Sequence, residues 1–152
     1  VMPDDLVTDC LSRTQTLLDF VISYNDDELP SAFLSLVKKQ RRILVSVMKD
    51  KPLALQIRRH LEYYLPKTIQ LASSYTKIKV SSMREEGDAG YLAKIDDVLS
   101  GFDAEYDAAL KKILPSKRAS LDDVLSDAED HLVADGLRSK ATDFRKDAEE
   151  RE

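Results

Sequence analysis

The sequence predicts an all-α fold: a bundle of about four long helices plus a short fifth helix, with the third helix bent at Pro66. Three observations predict it. Only four glycines and five prolines interrupt 152 residues, which favours a few long helices over many short strands. Hydrophobic residues are 43% and charged residues 34%, an ordinary balance for a helical bundle. Apolar positions also recur at alternating spacings of three and four over long windows. The length suits one core-bearing domain, read here as residues 1–136. A charged tail, 137–152, follows as a frayed helix or disordered segment.

The first helix is expected over residues 4–24, with Leu6, Cys10, Leu17, Val21 and Tyr24 near one face. The run "NDDELP" breaks it, with Asp27 as a cap and Pro30 in the next first turn. The second helix extends to Lys49 on a stripe of Phe33, Leu36, Val37, Gln40, Ile43, Leu44 and Val47. "MKDKP" is the next break, with Asp50 as cap. The third helix carries a heptad-like seam: Ile57, Leu61, Tyr64, Thr68, Leu71, Tyr75 and Ile78. Pro66 falls opposite that seam, so the reading is one continuous helix, bent there and wrapped on its neighbours. The alternative is two helices broken near Leu65.

"REEGDAG" ends the third helix. A fourth, about 88–114, has the seam Leu92, Ile95, Leu99, Phe102, Tyr106, Ala109 and Ile113. Gly101 within it suggests a close helix contact. "PSKRAS" reads as a loop, after which Ser120 and Asp123 resemble a capping box for the short fifth helix. Leu121, Leu125, Ala128 and Leu132 face inward in that reading, and "DGL" at 135–137 is its glycine stop.

Little here carries chemistry. Cys10 is the single cysteine, which fits a reducing, cytoplasmic compartment, and its place on the apolar face makes it a core thiol. His60 lies at the edge of the core stripe between Arg59 and "LEYYLP"; the lysine–glycine that follows the histidine of phosphotransfer domains is absent. Asp127 and His131 share a helical face, yet two ligands make no metal site. Asp96–Asp97 and Asp122–Asp123 lack the partners of paired-carboxylate catalysis. The turn "EEGDAG" has no phosphate-loop pattern. No catalytic residue, metal or cofactor is assigned.

Charge is the functional lead. Net charge is −5, yet residues 36–80 hold eleven basic and two acidic side chains, while acids dominate both flanks. Lys38, Arg42 and Lys49 fall within about 40° of one another, opposite the second helix's core stripe. Arg58, Arg59, Lys67 and Lys77 add charge to the third helix. Acidic first and fourth helices could neutralise these bases from within. Otherwise they serve another protein or an anionic membrane surface. Nucleic acid fits poorly, because the acidic remainder would repel it.

The stretch "PLALQIRRHLEYYLPKTIQLASSYTKI", with Tyr63, Tyr64, Leu65 and Pro66 at its centre, resembles the XpaC-like family, labelled for 5-bromo-4-chloroindolyl phosphate hydrolysis. "LAKIDDVLSGFDAEYDAALKKIL" and "LDDVLSDAEDHLVADGL" keep the same order of elements, so the resemblance covers roughly residues 52–137. It implies a cytoplasmic helical domain associated with toxic-anion (tellurite) resistance proteins. Family members often carry membrane helices ahead of that domain, which would lie outside this chain. It brings no catalytic residue set. The functional expectation is a non-enzymatic interaction module docking through Lys38, Arg42, Lys49, Arg58 and Arg59. The alternatives are a phosphoester hydrolase, as the label says, and a histidine phosphotransfer module, which needs an exposed His60.

Overall fold

The computed structural model describes the backbone of residues 2–136 and their side chains except those of 115–120 and 123. Among these residues, helices follow one another with no strand: α1 (Pro3–Ser23), α2 (Phe33–Lys49), α3 (Leu53–Gln56), α4 (Leu65–Val80) and α5 (Asp88–Ala134). A 3-10 turn, Asp26–Glu28, lies ahead of α2, and a π turn, His60–Tyr64, runs directly into α4. The fold is an all-α bundle. The chain divides into two compact units, the first ending at Leu114 and the second beginning at Pro115. The tail expected over 137–152 lies outside the described residues.

In the first unit each long helix buries one stripe. Pro3 opens α1, where its missing N–H costs nothing, and α1 buries Leu6, Val7, Cys10, Thr14 and Leu17. Val21 and Tyr24 pack half-buried against the core. On α2 the expected stripe is the buried one, with Leu44 at its half-buried edge. On α5 the expected seam from Leu92 to Ile113 is buried, Phe102 partly, and Leu110 joins it.

The expected caps differ. Asp27 does not cap α2; it lies inside the 3-10 turn, which Glu28 closes by accepting the Asn25 N–H at 2.9 Å. The approach to α2 is held from another helix instead, since Asp96 of α5 accepts the Ser31 N–H at 2.8 Å. Asp50 contributes its backbone carbonyl, not its side chain, to the turn before α3.

The chain crosses Pro66 without a break, being helical on both sides. The irregularity that accommodates the proline sits one turn earlier. In the π turn the Leu65 N–H reaches back five residues to the His60 carbonyl. The Leu61 carbonyl then faces Leu65, whose N–H is taken, and Pro66, which has none. Arg13 of α1 fills this vacancy, its Nη1 donating to the Leu61 carbonyl at 2.8 Å. A turn wider by one residue also rotates the following helix. The buried positions become Ile57, Leu61, Leu65, Thr68, Ala72 and Tyr75, so Leu65 takes the place expected for Tyr64, and Ala72 that of Leu71.

Two further expectations are corrected. "PSKRAS" is helical, part of α5, and no loop; after Pro115 the segment contains no glycine and several good helix formers. Gly101 makes no close contact, for a Cβ placed there meets nothing within 4 Å. In the second unit α5 ends as expected at Gly136, whose φ of 72° is the left-handed conformation of a glycine stop. The inward face expected for Leu121, Leu125, Ala128 and Leu132 is instead exposed. No helix among the described residues is long and apolar enough to cross a membrane.

Candidate functional site

The outer face of α2 is built by helical periodicity. Because Phe33, Leu36, Val37, Gln40, Ile43 and Val47 turn inward, Lys38, Arg41, Arg42 and Lys49 are left in solvent. Leu34, Val45 and Met48 share that face and are also exposed. Leu34, Ser35, Lys38, Lys39 and Arg42 line a shallow recess of about 330 Å³.

Among the described residues, the α2 base that the fold neutralises is Lys39, at the inward edge of the basic face. Lys39 Nζ lies 2.7 Å from Asp103 and 2.8 Å from Asp107 of α5. Hydrogen bonds to Asp103 and then Asp107 raise its pKa above the ordinary lysine value. Lys51 meets Asp4 of α1 at 3.1 Å. Lys38, Arg41, Arg42 and Lys49 make no ion pair among the described residues.

The other two bases expected at the site are engaged elsewhere. Arg58 pairs with Glu62 one turn on, at 2.9 Å, and Arg59 lies 5.9 Å over the Tyr64 ring. The four-residue motif divides likewise. Tyr63 is exposed and stacks edge-on with Tyr64, which meets Phe102 of α5. Leu65 is fully buried, and Pro66 half-buried. These residues shape the π turn and its packing.

A second constellation sits inside the bundle. His60 is 4% exposed. Its Nε2 lies 2.8 Å from Gln40 Oε1, an oxygen that can only accept, so Nε2 carries the proton. The Gln40 amide nitrogen donates in turn to Thr14 Oγ1 at 3.2 Å and to Cys10 Sγ at 3.4 Å. The His60 ring packs edge-on against Tyr106, centroids 4.5 Å apart. Thr68 uses its proton on the Tyr64 carbonyl, so the Tyr106 hydroxyl donates to Thr68 Oγ1 at 2.8 Å. Burial lowers the His60 pKa from 6.5 to about 4 and raises that of Cys10 to about 11. At neutral pH the imidazole is uncharged, in keeping with its burial, and the thiol is protonated, its unreactive form.

His60 also borders a recess of about 60 Å³, shared with Arg59, Tyr64, Glu105 and Lys112. That is room for about two water molecules. The His60 Nδ1 is buried without a hydrogen-bond partner among the described residues. The phosphotransfer reading required this imidazole at the surface; the structure places it in the core. His131 is exposed and sits 3.7 Å from Asp127. Among the described residues no three His, Cys, Asp or Glu side chains gather as a metal site.

Sequence reasoning missed Arg41 and the joining of Cys10, Thr14, Gln40, His60, Thr68 and Tyr106 into one buried network. The signal was present in part. Gln40, Thr68 and Tyr106 occupy core positions, and buried polar groups must find one another. No family model, curated protein or solved structure matches this chain.

Proposed function

We propose that this chain is a non-enzymatic helical docking module that binds an acidic protein through the outer face of α2. One observation carries the reading: Lys38, Arg41, Arg42 and Lys49 stand exposed, without ion pairs among the described residues, beside exposed Leu34, Val45 and Met48. Apolar side chains supply the buried contact, and the surrounding cations select an acidic surface and speed encounter. A cytoplasmic setting and a link to envelope or toxic-anion stress belong to this proposal through the XpaC-like resemblance and the lone buried thiol.

The test pairs a binding assay with an activity assay. A fluorescent acidic amphipathic peptide should bind the purified chain and weaken as salt rises. Lys38→Glu with Arg42→Glu should abolish binding while far-UV circular dichroism stays unchanged. Turnover of indolyl or nitrophenyl phosphate, with and without divalent metals, should not exceed buffer. Saturable turnover lost on substituting His60 or His131 would overturn the proposal in favour of a phosphoester hydrolase.

A further inference from the structure

The second unit presents a helical face that is exposed among the described residues. From Leu121 to Gly136 the chain has six acidic side chains and neither lysine nor arginine. Leu121, Leu125, Ala128 and Leu132 follow the four–three–four spacing of a helix-pairing seam. All four are exposed, as are Val124 and Val133, with Leu121 at 57% and Val124 at 64%. Exposed apolar stripes of this kind mark a surface that another element covers.

Charge narrows what covers it. Asp122, Glu129 and Asp135 are exposed and flank the seam at 100° per residue. Pairing this helix with its own copy would set acid against acid and be disfavoured. The fitting surface is a basic helix face with exposed apolar side chains among its cations. The outer face of α2 is such a surface: Lys38, Arg41, Arg42 and Lys49 are exposed, with Leu34 at one end of the row and Val45 and Met48 at the other. The acidic seam runs over about twelve residues and the α2 row over about fifteen, or about 18 Å and about 22 Å of helix.

We propose that the acidic helix at residues 121–135 of one copy docks on the α2 outer face of a second copy. The contact is heterologous, joining unlike surfaces, and each copy carries both halves. This inference rests on the docking reading of α2 and names the occupant.

The experiment is sedimentation velocity on the full chain across a wide concentration range, at low and high salt. Wild type should exceed the monomer mass at low salt and dissociate as salt rises. Lys38→Glu/Arg42→Glu, Leu125→Asp and Asp122→Lys/Asp135→Lys should each sediment as a monomer, with helicity retained by circular dichroism. Mixing the first and third variants should restore association, because the unaltered acidic helix of the first then meets the unaltered α2 face of the third. A monomeric wild type at every concentration overturns the inference. So does an oligomer lost with Leu125→Asp but indifferent to the α2 reversal, which would mean that the apolar seams pair with each other. A monomer that still binds acidic peptide through α2 removes the second copy as occupant and leaves the docking reading standing. Phosphate-ester turnover would instead strike the docking reading itself.

Discussion

Arg13 and Pro66 are energetically coupled through a single carbonyl. Because Leu65 bonds back to His60 and Pro66 has no N–H, the Leu61 carbonyl depends on the Arg13 guanidinium at 2.8 Å. Arg13→Ala leaves that carbonyl half-buried and unpaired. A hydrogen bond from a charged donor is worth about 1.5–3 kcal/mol, and with Arg13 half-exposed the cost should be about 2 kcal/mol. Pro66→Ala supplies a new N–H within one helical turn of the same carbonyl. Alone, it forfeits about 0.4–1 kcal/mol of unfolded-state restriction and gains one backbone bond, so its net effect should stay below about 1 kcal/mol. In the Pro66→Ala background, Arg13→Ala should cost about 1 kcal/mol less than in wild type. Urea unfolding of the four proteins, followed by far-UV circular dichroism, measures this coupling. Equal costs in both backgrounds, within about 0.3 kcal/mol, would refute the account. A large loss of helicity in Pro66→Ala would refute the continuous helix as well.

Other expectations follow from burial. His60 is held neutral in the fold, its pKa lowered from 6.5 to about 4, so the unfolded chain binds the extra proton. Its contribution is fully present above pH 6.5 and is lost as the pH falls towards 4, in total about 3 kcal/mol. Arg59, Glu105 and Lys112 border its recess, and His60→Phe keeps them while removing the titration. Over that window its stability should fall less steeply than wild type in urea titrations; identical slopes would contradict a buried neutral imidazole. Gly101→Ala should raise stability by about 1 kcal/mol, since helix propensity improves and a Cβ meets open space. A lower melting temperature would mean that the site is crowded. Leu65→Ala should cost about 2–5 kcal/mol and Leu71→Ala clearly less, because Leu65 is fully buried and Leu71 half-exposed. Equal costs would argue against the phase shift at the π turn.

The candidate surface was legible where one helix alone decides the outcome. Lys38, Arg42 and Lys49 share a face of α2 because 3.6 residues complete a turn, and the apolar stripe opposite them fixes which way that face points. Arg58 and Arg59 looked equivalent by composition. Glu62 one turn on and the neighbouring Tyr64 ring engage them, and charge counting does not weigh such contacts. Lys39 differs from Lys38 by one position, and only the packing of α5 brings Asp103 and Asp107 to it.

The same division runs through the fold. By itself the sequence determined the helical class, the stripes of α1, α2 and the Leu92–Ile113 part of α5, and the glycine stop at Gly136, because periodicity and backbone freedom are local properties. Tertiary structure alone decided that Arg13 would cap the Leu61 carbonyl, that Asp96 would hold the approach to α2, and that Gln40 would bridge His60 to Cys10 and Thr14. Each of these joins residues far apart in sequence, and an unpaired polar group inside a bundle accepts whichever partner the packing brings within reach.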